Sequence, residues 1–138
     1  RIYDLSSLIN SLPQPPSLIC LSETWLKDCQ FISIPNYKLI TDNRIGIGGG
    51  TAIAALNNIE FASILDNPLS KLCHDHNINI SIAKTKLNNI STFIISLYNH
   101  PNNPVSNNNS RFWQQFFELC DLLPNVIISG DFNSKHPL

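Results

Sequence analysis

Val126-Ile127-Ile128-Ser129-Gly130-Asp131-Phe132-Asn133 decides the fold, because a short apolar run passes straight into a glycine and an acidic turn. An unbroken run of this kind is the pattern of a strand covered on both faces, as in a sheet flanked by helices. A second stretch repeats the arrangement, with Ser17-Leu18-Ile19-Cys20-Leu21 followed by Ser22-Glu23-Thr24. Each run places a carboxylate, Asp131 or Glu23, two positions beyond the end of its strand. Strand ends line the ligand crevices of α/β sheets, and a carboxylate held rigidly there suits a hard cation or a general base. Taken singly, either acid reads more simply as an Asx turn or a helix N-cap, and it is the recurrence that favours chemistry.

Outward from these two runs the pattern stays mixed. Leu5, Leu8, Ile9 and Leu12 recur at helical spacing and predict a helix over 3–12, stopped by Pro13-Gln14-Pro15-Pro16. Strands are expected over Tyr37–Thr41, over Thr51–Leu56 after the glycine turn Gly46–Gly50, and over Phe61–Leu65. Alternating Ile78, Ile80 and Ile82 lead through Asn88-Asn89 into Thr92–Tyr98, which reads as a hairpin. An Asn- and Pro-rich loop over 99–109 then gives way to a helix with Ser110 as its expected N-cap and Phe112, Trp113, Phe116 and Phe117 on its apolar face. The predicted order is α-β-β-β-β-β-β-α-β, a layered α/β or α+β domain in which the strands over 17–21 and 126–129 are expected to be buried neighbours, with Glu23 and Asp131 emerging at one edge.

The 138 residues fit one domain, and with 43% apolar and 14% charged residues the chain has too little charge for intrinsic disorder. Arg1 opens it and no methionine occurs, so a longer parent protein is expected, with residues 1–138 as a partial domain. No run approaches a bilayer span and no leader is visible, so neither membrane nor secretion is indicated. The net charge of −1 gives no general attraction for a polyanion, so a nucleic-acid role needs a local basic face. Cys20, Cys29, Cys73 and Cys120 lack any CxxC pair and read as free thiols of a reducing compartment. Cys73-His74-Asp75-His76 has metal-capable side chains but no second cluster, and is expected to be a solvated loop. Gly46-Ile47-Gly48-Gly49-Gly50 fails as a dinucleotide loop because a strand follows it. Trp113, Phe116 and Phe117 are expected in the core, and His136 either reaches the acidic loop or supports it from behind.

At Leu21-Ser22-Glu23-Thr24-Trp25-Leu26 and Gly130-Asp131-Phe132-Asn133-Ser134-Lys135-His136 the sequence resembles the endonuclease/exonuclease/phosphatase superfamily. Within it, the resemblance is to the apurinic-endonuclease-like domain of non-LTR retrotransposon proteins. Gly48-Gly49-Gly50-Thr51-Ala52-Ile53 and Ser96-Leu97-Tyr98-Asn99-His100-Pro101 extend the match in the same order, over nearly the whole chain. The resemblance implies a four-layered α/β sandwich, two packed mixed β-sheets flanked by helices, truncated here at both ends. It implies Glu23 as the ligand of Mg²⁺ (or Mn²⁺), Tyr98 near the scissile phosphate, Asp131 and Asn133 activating water, and Asn102 contacting phosphate. The family's first strand would precede Arg1, and its later aspartates and final histidine would follow Leu138, so the fragment alone is expected to be inactive and poorly soluble.

The expected function of the parent protein is metal-dependent DNA nicking that primes reverse transcription. DNA is then the substrate, a reverse transcriptase domain lies in the same chain, and the place of action is intracellular, at chromosomal DNA in the nucleus. Two other expectations stand beside it. One is a phosphoesterase of the same fold acting on lipid or inositol phosphates, and the other is a non-catalytic partial copy of an element.

Overall fold

The computed structural model describes residues 2–27, 32–44, 48–106 and 110–133. Helix α1 (Ile2–Ser11) lays Leu5 and Ile9 on a three-stranded sheet made of β1 (Leu18–Ser22), β2 (Tyr37–Asp42) and β3 (Thr51–Leu56). The strand order is β1-β3-β2 and both pairings are antiparallel. The central strand β3 is Thr-Ala-Ile-Ala-Ala-Leu, and Ala52 to Ala55 are wholly buried. Small side chains there let a helix approach one face of the sheet and a second sheet approach the other.

That second sheet has the order β4-β5-β6-β7, built from β4 (Phe61–Ser63), β5 (Asn79–Leu87), β6 (Ile90–Tyr98) and β7 (Val126–Asp131). β5 and β6 form the expected hairpin, closed by Asn88 and Asn89 at φ 50° and 65°. Two left-handed residues in succession make the turn whose twist matches the strands, and asparagine tolerates that conformation. β7 runs parallel to β6 and is reached through α3 (Ser110–Asp121), the crossover a parallel pair requires.

Period two sorts the side chains of the hairpin between two interiors. Ile80, Ile82, Ile95 and Leu97 pack against Cys73 of α2 (Pro68–Asp75) and against Phe112 and Phe116 of α3. Ala83 and Ile94 face the other way and meet Ile53, Leu18 and Cys20 of the first sheet. The result is helix, sheet, sheet, helices: the four-layered α/β sandwich.

Several expectations are corrected. Among the described residues β1 and β7 are both edge strands and only partly buried, with Ile127 47% exposed, because each has a strand partner on one side alone. β1 and β7 are not hydrogen-bonded neighbours; they lie in different sheets that face each other. Helix α2 fills a place where no element was expected, opened by Asn67, whose side chain accepts the Ser70 N–H at 2.9 Å, with Pro68 in the first turn. Cys73-His74-Asp75-His76 is therefore the end of a helix, with Cys73 fully buried, rather than a solvated loop. Phe116 is in the core, whereas Phe117 is 49% exposed. Cys20, Cys73 and Cys120 are free thiols; Cys29, His136 and the start of the glycine turn lie outside the described residues.

Candidate active site

The inner face of β6 carries Ile94, Ser96 and Tyr98 in succession. Ser96 Oγ donates to the Leu21 carbonyl at 2.9 Å, which fixes the end of β1 over the end of β6. One step further along, the Tyr98 hydroxyl donates to Glu23 Oε1 at 2.6 Å. In the neighbouring parallel strand the register partner of Tyr98 is Asp131, and partners across such a pair point to the same face. Two carboxylates from strands in opposite sheets thus flank one buried phenol.

Glu23 reaches this position through a break in pairing. β1 and β3 are in register up to Ser22 and Thr51, but beyond them the Thr24 and Trp25 N–H groups donate to the carbonyls of Gly50 (3.2 Å) and Gly49 (2.9 Å). The pairing has slipped by one, and Glu23 is the extra residue of a β-bulge. Glu23 and Trp25 have φ 54° and 56°, and among the described residues every other positive φ belongs to asparagine or glycine. Such a backbone costs roughly 1–2 kcal/mol per residue, and strain of this kind gathers at functional sites. On the facing strand, Gly50 lies at φ 85°, where a side chain is strained, and a Cβ there would lie 2.5 Å from Thr24 Oγ1 and push that side chain aside.

Asp131 is held by a small network. The Asn133 N–H donates to Asp131 Oδ1 at 3.0 Å, an Asx turn, and Asn133 Nδ2 donates to the Asn99 carbonyl at 2.8 Å. The Asn99 N–H donates to the Asp131 carbonyl at 2.9 Å, and its side-chain Nδ2 to the Phe132 carbonyl at 2.8 Å. The turn that served as the bland reading of Gly-Asp is therefore present, and it is also what aims the carboxylate. Asn99, fully buried, was missed in the sequence; its signal was adjacency to Tyr98 at the end of a strand.

Burial pushes the Tyr98 hydroxyl up to about 12, helped by its bond to Glu23 and by the charges of Glu23 and Asp131, and opposed by Arg44. Tyr98 is thus a proton donor at neutral pH. Asp42 was also missed: its Oδ2 accepts from Ile80 N (2.8 Å), Asn79 Nδ2 (3.1 Å) and the His74 ring (3.2 Å). It occupies the Ile80 N–H that β4, stopping at Ser63, leaves without a strand partner.

Among the described residues no group of three or more His, Cys, Asp or Glu side chains converges, so a closed protein cage for a metal does not fit. The donor set does fit a cation such as Mg²⁺, which takes one or two carboxylates and completes its shell with water and phosphate oxygens. Glu23 is exposed and would be the first such ligand. Glu23, Tyr98, Asp131 and Asn133 are gathered at one end of the two sheets, whereas Asn102 lies in an adjoining cleft with Arg44 and His100.

No family model matches the chain, and no curated protein does. Among solved structures it is similar to a 3′ phosphatase, NExo, from Neisseria, determined with a product DNA hairpin. The TM-score is 0.55 at 14% identity over 96% of this chain, and the chain spans about half (52%) of that protein's length. At that identity the likeness is one of fold, and it bears out the layered sandwich.

Proposed function

We propose that the parent protein hydrolyses phosphodiester bonds of DNA with a divalent metal, as a nicking endonuclease of the retrotransposon kind. The observation that carries the reading is the Tyr98–Glu23 hydrogen bond beside Asp131, the register partner of Tyr98. A sandwich fold shared with a DNA 3′ phosphatase supports it.

In this reading Asp131, held by the Asn133 turn, orients a water and takes its proton as the water oxygen attacks phosphorus in line with the leaving oxygen. The P–O bond to the departing sugar breaks, leaving a 3′-hydroxyl and a 5′-phosphate. Tyr98 keeps Glu23 in place and, as a neutral phenol, brings no negative charge of its own beside the phosphate. A Mg²⁺ bound at Glu23 would neutralise charge on the phosphoryl oxygens and leaving group. Asn133 fixes the loop geometry.

The 3′-hydroxyl is a primer, which suits a reverse transcriptase domain in the same chain and action on chromosomal DNA in the nucleus. The test is nicking of supercoiled plasmid by the full-length protein with Mg²⁺. Nicking abolished by Glu23→Ala and by Asp131→Ala, with no phosphate released from soluble phosphoesters, is the expected result. Phosphate release without nicking would overturn the choice of substrate, and a parent reading frame without a reverse transcriptase would overturn the retrotransposon assignment.

A further inference from the structure

Next to the Glu23–Tyr98 pair the surface opens into two polar clefts that meet at Arg44. The first, about 360 Å³, contains His74 and Asp42, and the Asp42 carboxylate makes it unsuited to an anion. The second, about 340 Å³, is lined by Arg44, Asn77, His100, Asn102, Asn103 and Pro104, with no carboxylate among them. The Asn103 amide donates to the His76 carbonyl at 2.8 Å, so the Arg44 guanidinium, with the Asn77 and Asn102 amides and the His100 ring, gives the cleft its polar character.

Arg44 joins this cleft to the reacting end of the sheets. A Cβ on Gly49 would lie 2.7 Å from Arg44 Cδ and 3.3 Å from Tyr98 Cε1, so the arginine stem and the tyrosine ring flank the same glycine. The charge of Arg44 also acts on the Tyr98 phenol. His100 stands two residues beyond Tyr98, and its Nδ1 accepts the Asn102 N–H at 3.2 Å, which ties the ring to the turn that carries Asn102. A chain with net charge −1 attracts a polyanion only where cations are local, and Arg44 is placed to supply one.

We infer that the Arg44–His100–Asn102 cleft binds the phosphate adjacent to the one hydrolysed on the same nucleic-acid strand, with Arg44 as the principal contact. The inference rests on the phosphodiesterase reading above and extends it from one phosphate to two. A guanidinium suits this task because its fork matches two phosphate oxygens at once.

The test measures binding of a labelled single-stranded oligodeoxynucleotide to the full-length protein by fluorescence anisotropy across salt concentrations, with Ca²⁺ in place of Mg²⁺. Arg44→Gln is expected to weaken binding about tenfold and to flatten the dependence of log K on log salt by about 0.7, whereas Arg44→Lys keeps most of the slope. A single methylphosphonate linkage walked along the DNA should reproduce the loss at one position, and combining it there with Arg44→Gln should add nothing further. The walk itself uses wild-type protein, so its result does not depend on the folding of a variant. Unchanged affinity and slope in Arg44→Gln, or strictly additive losses, while Glu23→Ala still abolishes nicking, would overturn the second phosphate site alone. Wild-type protein that neither binds nor nicks DNA would overturn this inference together with the reading beneath it.

Discussion

The Tyr98 hydroxyl stands 2.6 Å from Glu23 Oε1, joining two residues 75 positions apart in the chain and located in different sheets. The pair exists because a bulge turns the exposed Glu23 towards Tyr98 at the point where the inner face of β6 presents its last side chain.

Tyr98→Phe should separate the two consequences of this bond. Stability at neutral pH should fall by about 1 kcal/mol, the usual net value of one hydrogen bond, and nicking by tenfold or more. The hydroxyl is raised from 10.0 to about 12, so the folded state holds its proton more tightly than the unfolded one. The resulting stability is complete below pH 10 and is lost as pH rises towards 12. Urea melts of wild type should therefore decline across that window more steeply than those of Tyr98→Phe.

Glu23→Gly should leave the fold near wild-type stability while removing activity. At φ 54° a glycine relieves the crowding of Cβ, a gain of about 1 kcal/mol that offsets the roughly equal loss of the Tyr98 bond. An unfolding midpoint close to that of wild type, with nicking abolished, is the expected pair of results; Glu23→Ala, which keeps Cβ and also loses the bond, should be less stable than Glu23→Gly.

Gly130→Ala should damage the fold itself. A Cβ at Gly130 would overlap the Leu97 carbonyl oxygen, and that neighbour is backbone of β6 in the four-stranded sheet. Either β7 leaves its register with β6 or the pair separates, at a cost of about 3 kcal/mol or more. Near-UV circular dichroism and the urea midpoint report it directly.

Asn99→Leu keeps the buried volume and deletes the donor to the Phe132 carbonyl. The expected loss is about 1–3 kcal/mol, because the carbonyl is left unpaired, together with a fall in nicking as Asp131 loses its support. A fall in kcat that exceeds any change in KM would mark the role as positioning.

The layers were legible because burial writes itself into sequence as period: the Ile78–Tyr98 alternation and the Asn88-Asn89 turn specify a hairpin without outside help. Glu23 and Asp131 could be found as acids after apolar runs, and Tyr98 through the resemblance. Helix α2 was hidden because its eight residues, Pro68–Asp75, give too few repeats to establish a period, although Asn67-Pro68 was a start signal. The half-burial of β1 was hidden because an apolar run does not say which sheet it enters or whether both its edges are paired. Asp42 and Asn99 act through bonds to backbone of distant strands, and no local pattern encodes such partners.

The described side-chain bonds between the sheets have an uneven distribution: Tyr98 to Glu23, Ser96 to Leu21, Thr51 to Ser81, Asn79 to Gly50 and Asp42 to Ile80 all lie at one end. At the opposite end Leu18, Phe61 and Leu87 meet through apolar contact. Directional bonds resist sliding, whereas apolar surfaces tolerate it, so the sandwich is bound like a book along one spine. The two carboxylates sit at that spine, beside the bonds that fix one sheet against the other.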